Sequence, residues 1–506
     1  MLTITYGMTL IGIEGRLISV EVDISNGLPS WEIVGLPDAS IRESKERVRA
    51  AIKNSGYEIY SRKTIINLAP ADIRKEGSAL DLAIAIAILK NMGIICNRNL
   101  DDYIFIGELH LDGKINPVNG ILSMCIEAKK MKIKNVVVPY ENRKEAGIVD
   151  GINIYPIQSL GEIINFFNGT NNIEKYIYEM KCDENEEENI DFEDIKGQAI
   201  GKRAMEIVAA GGHSCLMVGS PGNGKTMLAK RLQTILPKLT FEEALEITKI
   251  YSASGILPKG ESLMNKRPFR SPHHTITKNA LAGGGNFPKP GEISLAHNGV
   301  LYLDEIAEFD KRTLEILRTP LEENEIRISR LNSTFVFPAK IIFIASMNPC
   351  PCGYYMDKKK KCICTESQIQ KYRNKISGPL MDRIDIQLHI SQVEYSELEN
   401  IKDEESSQII RKRVERAREI QRCRYKNEEN SINADLNEKN LKKYCRLKND
   451  ANKLLERSFE KYGFSARSVN KIIKVARTIA DLDESTEIEI EHLAESIQYR
   501  ILDFKC

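Results

Sequence analysis

The stretch Gly219-Ser-Pro-Gly-Asn-Gly-Lys-Thr226 decides the fold of this chain, because it fits the spacing G-x-x-x-x-G-K-[ST]. The apolar run Cys215–Val218 precedes it, and a segment of helical composition begins at Met227. This order of strand, loop and helix is the context that the motif requires. Because glycines let backbone N–H groups turn inward at the start of a helix, the stretch predicts a phosphate-binding loop.

Two side chains of this loop have specific chemistry. Lys225 supplies a positive charge to the outer phosphates of a nucleotide, and the hydroxyl of Thr226 is a ligand for Mg²⁺. The candidate nucleotide contacts are the whole loop: Gly219, Ser220, Pro221, Gly222, Asn223, Gly224, Lys225 and Thr226.

A second apolar segment, Val300–Leu303, ends in two carboxylates, Asp304 and Glu305. We expect Asp304 to support the Mg²⁺ and Glu305 to orient and polarise a water molecule. The alternative is a glycine-rich turn and an unrelated surface acidic pair, and the presence of both segments argues against it. Together they predict a chain that binds and hydrolyses ATP, with ATP and Mg²⁺ as its cofactors.

The composition is that of an ordinary globular protein, with 42% hydrophobic and 28% charged residues and a net charge of +1. A length of 506 residues predicts about three domains. No apolar run reaches the ~18 residues of a membrane span, and the first residues do not resemble a signal peptide. We therefore expect a cytoplasmic protein without a membrane partner, whose 11 cysteines are reduced or bound to metal.

Changes in pattern along the chain predict four regions and an α/β fold class. Residues 1–170 alternate strand-like and helix-like segments, as in an α+β domain. The acidic run Cys182–Asp194 has little to bury, so it predicts a solvated linker over residues 171–195, with an acidic interaction segment as the alternative. Residues 196–392 form the predicted nucleotide-binding core, and the mainly helical residues 393–506 form a predicted lid.

The features that follow the phosphate-binding loop resemble an AAA+ ATPase. An apolar strand, Ile341–Met347, ends at Asn348, Arg383 follows in the sequence Met-Asp-Arg-Ile-Asp, and Arg467 lies at the start of a helical segment. The resemblance implies that Asn348 is the sensor-1 residue, Arg383 the arginine finger and Arg467 the sensor-2 arginine.

These roles have a physical basis. Asn348 can hydrogen-bond the attacking water and the γ-phosphate. An arginine such as Arg383 neutralises the charge that develops in phosphoryl transfer, an effect on the order of 10³–10⁵ in rate. A finger reaches the nucleotide of a neighbouring subunit, so it implies a ring. The alternative is an ion pair of Arg383 with Asp382 or Asp385.

Longer runs resemble the magnesium-chelatase-like YifB/ComM family of AAA+ ATPases: Arg267–Thr275, Gly283–Gly285, Pro290–Gly299, Asn348–Gly353 and Ile497–Arg500. The resemblance implies a P-loop motor domain with a helical C-terminal lid and a homo-oligomeric, hexameric ring. It also implies a branch-migration helicase or translocase whose partner is single-stranded or branched DNA, including DNA taken up in transformation.

Two N-terminal runs resemble the proteolytic domain of Lon protease, which uses a serine activated by a lysine: Lys75–Ile86 and Gly107–Leu122. Aligned without a gap, Ala79 takes the place of the serine and Leu122 that of the lysine, and neither can transfer an acyl group. Ser78 is one position away from the serine, and Lys114 lies in another part of the motif. We therefore predict a noncatalytic module for ring assembly or substrate guiding.

Two segments suggest contact with nucleic acid. Glu325–Ser329 and Ser333–Phe337 alternate like the strands of a hairpin, and in ring-forming DNA motors a hairpin at this position points into the pore. We expect Arg327 and Arg330 to contact phosphates there, without reading sequence. The alternative for each basic residue is a solvated charge or an ion pair between subunits.

The second segment, residues 255–297, is a long insertion that contains Arg267 and Arg270. Its glycines and prolines predict a loop or hairpin that also faces the pore. A third basic segment, residues 411–426, follows a helical period, and we interpret it as a solvent-facing helix of the lid rather than as a DNA contact.

Four cysteines have the spacing C-x-C, nine residues, C-x-C: Cys350, Cys352, Cys362 and Cys364. Four thiolates can complete a closed, tetrahedral zinc site of the structural kind. The loop between the two pairs is too polar to fold on a core of its own, which favours a structural Zn²⁺. Free or redox-active thiols are the alternative.

Three functions follow from these motifs, and the DNA motor is the one that the sequence favours. A motor subunit like that of magnesium chelatase is the first alternative, but we expect that subunit to resemble only the ATPase part of this chain. An ATP-dependent protease is the second, and it would need Ser78 as its nucleophile.

Overall fold

A computed structural model describes residues 2–60, 62–96, 99–178, 190–258, 261–285, 287–330, 333–355, 357, 359–392, 404–426 and 432–500. The chain divides into two compact units. The first contains Met1–Asp183, Phe241–Met264 and Phe287–Lys289, and the second contains Glu184–Thr240, Asn265–Asn286 and Pro290–Cys506. Most of the predicted acidic linker lies outside the described residues.

The first unit is built around a mixed seven-stranded sheet of order β3-β4-β2-β1-β5-β8-β9, and β6 and β7 form a separate pair. Its strands are β1 Thr3–Ile11, β2 Glu14–Ser25, β3 Ser30–Val34, β4 Lys63–Ala69, β5 Tyr103–Phe105, β6 Glu108–Leu109, β7 Ile115–Asn116, β8 Asn135–Pro139 and β9 Asn153–Ile157. Its helices are α1 Ala39–Asn54, α2 Asp81–Asn91, α3 Ile121–Lys130, α4 Arg143–Gly147, α5 Leu160–Asn168 and α8 Phe241–Ser254.

Helix α2 is the centre of the core of this unit. Its residues from Asp81 to Leu89 are all buried, which explains why the sequence there is apolar on every face. Asp81 is the exception in polarity, and Ser44 and Arg47 of α1 both donate hydrogen bonds to its carboxylate. The same face of α1 also buries Val48, Ala51 and Ile52.

Helix α8 belongs to this first unit although it follows the phosphate-binding loop in sequence. Ser252 of α8 accepts a hydrogen bond from the backbone N–H of Gly120 (2.9 Å) and donates one to the buried Glu145. About one turn earlier in the helix, Lys249 forms an ion pair with Glu14 (2.7 Å). Residues 241–264 lie inside the range predicted for the nucleotide-binding core, but they belong to the N-terminal unit.

The second unit contains a parallel five-stranded sheet of order β11-β14-β17-β10-β18 and two strand pairs, β12–β13 and β15–β16. Its strands are β10 Cys215–Val218, β11 Phe269–Arg270, β12 Gly283–Gly284, β13 Lys289–Pro290, β14 Val300–Leu303, β15 Glu325–Arg330, β16 Ser333–Pro338, β17 Ile342–Met347 and β18 Ile386–His389. Its longer helices are α6 Ala199–Gly211 and α7 Lys225–Ile235, and its short ones are α9 Lys278–Ala282, α10 Glu292–Leu295, α11 Lys311–Leu314 and α12 Pro320–Glu323.

The remaining helices of this unit are α13 Glu366–Arg373, α14 Gly378–Met381, α15 Ser407–Arg424, α16 Glu438–Tyr444, α17 Asn449–Tyr462, α18 Ala466–Leu482 and α19 Ile490–Gln498. Single 3-10 turns cover Tyr140–Asn142, Phe192–Asp194, Ile306–Glu308, Glu315–Arg318 and Asn433–Asp435. The α/β class, the parallel sheet and the helical C-terminal region confirm the predicted fold. Among the described residues no helix has the length and apolar character that crossing a membrane requires.

The central strands of the parallel sheet place the predicted motifs at one edge. β14 and β10 both pair with β17, in the register Leu303 with Ala345 and Val218 with Met347. Because the carboxyl ends of parallel strands meet at the same edge of a sheet, the segments that follow these three strands converge there.

The basic helix α15 is held by the second unit more closely than predicted. Its apolar stripe is buried, as the sequence period indicates. Its arginines also have partners in the unit: Arg411 donates to the carbonyl of Thr234 (2.8 Å), and Arg424 pairs with Asp481. Arg413 pairs with Glu206 (2.6 Å). These contacts support a structural role for the helix rather than a DNA contact.

Candidate nucleotide-binding site

The phosphate-binding loop has open space beside its backbone. Gly222 and Gly224 have φ values of 81° and 80°, and a Cβ at either position would meet no atom within 4 Å. A side chain is disfavoured there by the left-handed backbone, not by a neighbour. At Gly219 the reason is different, since a Cβ would lie 2.4 Å from the carbonyl oxygen of Ile390. The loop therefore fits a phosphate group against its N–H groups.

Lys225 begins α7 and is buried against the loop. Its Nζ donates to the carbonyl oxygens of Gly219 (2.6 Å) and Ser220 (2.9 Å) and lies 3.4 Å from Oδ1 of Asn348. Burial lowers the pKa of Lys225, and the two carboxylates that follow β14 oppose this shift. The loop, α7 and the end of β17 therefore converge on one ammonium group.

Thr226 and Asp304 form an oxygen-rich pair next to this lysine. Oγ1 of Thr226 donates to Oδ2 of Asp304 at 3.1 Å, and the hydroxyl of Tyr302 lies 3.3 Å from Oγ1 of Thr226. Burial raises the pKa of Asp304, but hydrogen bonds from Ser346, Tyr302 and Thr226 outweigh it and lower the pKa overall. An ionised carboxylate beside a hydroxyl fits Mg²⁺, so these two residues would hold the ion that neutralises phosphate charge.

Glu305 is exposed at the same edge, in an unusual backbone conformation. Its φ of 49° is left-handed, which costs about 1–3 kcal/mol for a residue with a side chain. Its N–H lies 3.1 Å from Oδ1 of Asp304 and 3.2 Å from Oγ of Ser346, and these contacts hold the conformation. The bend presents the carboxylate to solvent, where it can orient a water molecule beside a bound phosphate.

Sequence reasoning missed two residues of this site. Ser346 donates a hydrogen bond to Asp304, and Tyr302 contacts Thr226. The available signal was that Ser346 is a hydroxyl residue in an otherwise apolar strand, two positions before Asn348. Tyr302 has no comparable signal, because its ring is buried like that of any core aromatic.

The two arginines with predicted catalytic roles converge on one carboxylate. Nη2 of Arg383 lies 2.5 Å from Glu322 of α12, and Arg467 of α18 contacts the other oxygen of the same side chain. Arg383 also donates to the carbonyls of Arg318 (3.0 Å) and Pro379 (2.7 Å). Its side chain is largely buried, and burial lowers its pKa.

Arg383 does form an ion pair, but its partner is not one of the two acidic residues close to it in the sequence. The acidic partner of Arg383 is Glu322, not Asp382 or Asp385. Asp385 pairs instead with Lys471 at 2.5 Å, and it accepts a hydrogen bond from the backbone N–H of Ser214 (3.0 Å). The sequence contains no signal for Glu322, because it lies 61 residues from Arg383.

The predicted hairpin is present. β15 pairs with β16 in an antiparallel register from Glu325 opposite Pro338 to Arg330 opposite Ser333. Arg327 is exposed and pairs with Glu325, and Arg330 donates to the carbonyl of Gly285 (2.8 Å). The tip, residues 331–332, lies outside the described residues.

Arg267 and Arg270 have extensive contacts within their own unit. Arg267 donates to the carbonyls of Pro237 (2.7 Å) and Asn298 (2.8 Å). Nε and Nη2 of Arg270 donate to the two carboxylate oxygens of Glu292, at 2.6 and 2.7 Å. Such contacts favour a role in holding the insertion in place, and a DNA contact by these two arginines stays a prediction.

The four cysteines meet, and their Sγ atoms all lie within 4.8 Å of one another. Sγ of Cys350 lies 3.3 Å from that of Cys352 and 3.7 Å from that of Cys362. Backbone N–H groups donate to the sulfurs, as from Tyr355 to Cys350 (3.3 Å), and this orients metal ligands where a metal is bound. Four sulfurs at this spacing can bind a metal ion.

No serine–lysine pair forms among Ser78, Ala79, Lys114 and Leu122 of the N-terminal unit. Ala79 and Leu122, at the two motif positions, are buried apolar side chains. The hydroxyl of Ser78 donates to Glu108, and Lys114 lies 3.2 Å from Asp112.

Family models match most of the chain. A model described as magnesium chelatase, subunit ChlI, matches residues 191–398. Models described as subunit ChlI of Mg-chelatase and as the C-terminal part of that subunit match residues 20–142 and 404–500. The expectation that the chelatase subunit resembles only the ATPase part is therefore wrong, because a model of that subunit also matches the N-terminal unit.

Full-length relatives agree with these matches. YifB of Salmonella typhimurium is 41% identical over 506 residues, which cover 99% of this chain and 97% of that protein. The competence protein ComM of Haemophilus influenzae is 39% identical over 507 residues, 99% of this chain and 98% of that protein. A Lon protease of Buchnera aphidicola is 22% identical over 170 residues, 31% of this chain and 22% of that protein. The chain belongs to the YifB/ComM family of magnesium-chelatase-like AAA+ ATPases.

Proposed function

We propose that this protein is an ATP-driven ring motor that acts on single-stranded or branched DNA, as a branch-migration helicase or translocase. The observation that carries the proposal is the hairpin β15–β16, which lies in sequence between the strand that ends at Asp304 and the strand that ends at Asn348. A relative at 39% identity is named as a competence protein. In this proposal the hairpin moves with the hydrolysis cycle, and its exposed arginines contact the phosphate backbone.

In this proposal each residue of the site has one task. The phosphate-binding loop and Lys225 bind ATP, and Thr226 and Asp304 hold the Mg²⁺. Glu305 orients the water and Asn348 bonds the water and the γ-phosphate. The Mg²⁺ supplies charge neutralisation when it is bound.

The two arginines extend the proposal to an oligomer. Arg383 is the arginine finger for a neighbouring subunit, and Arg467 contacts the nucleotide as sensor 2. Both must leave Glu322 to reach a phosphate, because each has its charge paired there. A hexameric ring is the arrangement that brings one subunit's finger to the next subunit's ATP.

The proposed domain ranges remain 1–170, 171–195, 196–392 and 393–506, with residues 241–264 added to the N-terminal unit. We also propose that the metal of the four-cysteine cluster is a structural zinc ion. Four thiolates leave no open position for a substrate, and zinc accepts a tetrahedral set of sulfurs.

ATP hydrolysis with and without forked DNA tests the motor. We expect DNA to stimulate hydrolysis, and we expect the stimulation to fall steeply between low and physiological salt. The double variant Arg327→Ala/Arg330→Ala should lose the stimulation and keep the basal rate. Arg446→Ala, at an exposed arginine between α16 and α17, should change neither. Equal rates with and without DNA in the unmodified protein would overturn the proposal.

A chelatase-type motor is the second candidate, because the matching family models are described as parts of that enzyme's ChlI subunit. Such a motor would act on a partner protein rather than on DNA. For such a motor we expect that DNA does not change the rate of ATP hydrolysis. We also expect the Arg327→Ala/Arg330→Ala variant to retain the full rate.

A further inference from the structure

The four-cysteine cluster lies directly against the phosphate-binding loop. Gly353 follows the first cysteine pair, and a Cβ on it would lie 2.9 Å from Cδ of Pro221. Gly353 has a φ of 85°, so both its backbone conformation and the proline ring disfavour a side chain. The segment between the cysteine pairs therefore supports the middle of the loop by close packing.

A polar contact joins the same two segments. Interaction with the Ser220 side chain of the phosphate-binding loop is the main cause that lowers the pKa of the Asp357 carboxyl. The carboxylate is itself fixed, because Oδ1 accepts hydrogen bonds from the backbone N–H groups of Lys359 and Lys360, both at 2.9 Å. Two successive loop residues thus depend on the segment that the cysteines enclose.

The cluster also borders the residue at the end of β17. Cys350 is two positions after Asn348, and the carbonyl of the intervening Pro349 lies 3.4 Å from Nε of Arg373. The enclosed segment contains mainly charged and polar residues, which cannot order it by burial. A metal ion that joins four sulfurs would hold both of its ends.

We propose that metal bound to this cluster sets the conformation of the phosphate-binding loop and thereby controls the affinity for nucleotide. The inference rests on the proposed nucleotide-binding function. Loss of the metal releases the ends of the enclosed segment, so Pro221 and Ser220 lose their support and the loop binds phosphate less well. The cluster is then a metal-dependent positioning element of the nucleotide site, and not only a staple for its own loop.

The test measures zinc content by elemental analysis and affinity for a fluorescent ATP analogue by titration, both without DNA. We expect about one zinc per chain in the unmodified protein. Cys362→Ser should lose the metal and bind the analogue about tenfold more weakly. Cys423→Ser removes an exposed cysteine outside the cluster and should leave both values unchanged.

A second pair of variants keeps the metal ligands intact. Asp357→Asn and Gly353→Ala should retain zinc, because all four thiolates stay in place. They should still weaken binding of the analogue about threefold or more, because they disturb the segment that packs against the loop. Gly161→Ala, at a glycine where a Cβ meets open space, should have no effect. This pair remains decisive if Cys362→Ser does not fold.

The outcomes separate the two proposals. Metal loss without any change in affinity overturns the inference, as does an unmodified protein that binds the analogue but contains no metal. An unmodified protein that does not bind nucleotide at all overturns the proposed function together with this inference.

Discussion

Nη2 of Arg383 lies 2.5 Å from Oε2 of Glu322, and this carboxylate is the acidic partner of an arginine whose side chain is largely buried. Glu322→Gln should therefore destabilise the second unit by about 1 kcal/mol, an ion-pair value reduced because Glu322 is itself about one-third exposed. Urea unfolding measures the change. Glu323→Gln, at the next position, is the matched control, and equal effects of the two would show that the pair does not stabilise the fold.

Substitutions of Lys225 and Glu305 should produce two different defects, one in nucleotide binding and one in hydrolysis. Lys225→Ala should lose nucleotide binding, because it removes the charge at the phosphates. Glu305→Gln should keep nucleotide binding and slow hydrolysis about 10²- to 10⁴-fold, because the amide does not polarise the water. Titration with an ATP analogue and single-turnover hydrolysis distinguish the two variants. Rapid hydrolysis by Glu305→Gln would contradict the role proposed for this residue.

The hydrogen bond from Ser346 to Asp304 predicts a stability difference that depends on pH. The pKa of Asp304 lies below its ordinary 3.8 because hydrogen bonds outweigh the effect of burial. A depressed carboxyl pKa contributes stability that is present above the ordinary pKa and is lost as the pH falls through the folded value. Ser346→Ala should thus be less stable than the unmodified protein by about 1 kcal/mol at pH 7, with a smaller difference in acid.

Unfolding of both proteins at several pH values between neutrality and the acid limit of folding measures this difference. Ser496→Ala, which removes a buried hydroxyl of the second unit that donates to the carbonyl of Ile472 (2.6 Å), provides a control whose difference should not follow the titration of Asp304. A difference between Ser346→Ala and the unmodified protein that stays constant with pH would contradict the assignment.

Ser252 of α8 should be needed for the stability of the N-terminal unit. It is the partner of the buried Glu145, whose pKa is raised by burial, and of the N–H of Gly120. Ser252→Ala leaves both groups short of a partner and should cost about 2 kcal/mol. Hydrogen exchange of the amides of α3 measures this locally.

Ser254→Ala is the control for that variant, because the Ser254 hydroxyl bonds only a carbonyl of its own helix among the described contacts. We expect the exchange rates of α3 to rise in Ser252→Ala and to stay unchanged in Ser254→Ala. Equal exchange rates of α3 in the two variants would show that Ser252 does not hold α8 against the N-terminal unit.

The local motifs of the site could be predicted because each consists of a few consecutive residues with a known chemical role. The loop from Gly219 to Thr226, the carboxylates after β14 and the amide after β17 all follow short apolar strands, and parallel pairing brings them together. The contact between Lys225 and Asn348 follows from that topology. The same reasoning predicted the hairpin, since alternation over a few residues is also local.

Long-range partners could not be predicted in this way. Glu322 is one of many acidic residues, and only the folded chain shows that it lies against Arg383. Arg411 donates to a carbonyl 177 residues away. The sequence of α15 therefore predicted a solvent-facing helix, although several of its arginines bind partners within the second unit. Helix α8 is equally ambiguous, because an apolar stripe shows that a helix is buried and not which core it fills.

The return of residues 241–264 to the N-terminal unit has a consequence for how the protein is made. During synthesis the first 183 residues leave the ribosome well before α8, so the surface around Gly120 and Glu145 stays uncovered until the phosphate-binding loop has also been translated. Neither unit can therefore mature in strict sequence order. A fragment that stops before residue 241 would lack α8 and would therefore present an unfinished N-terminal unit.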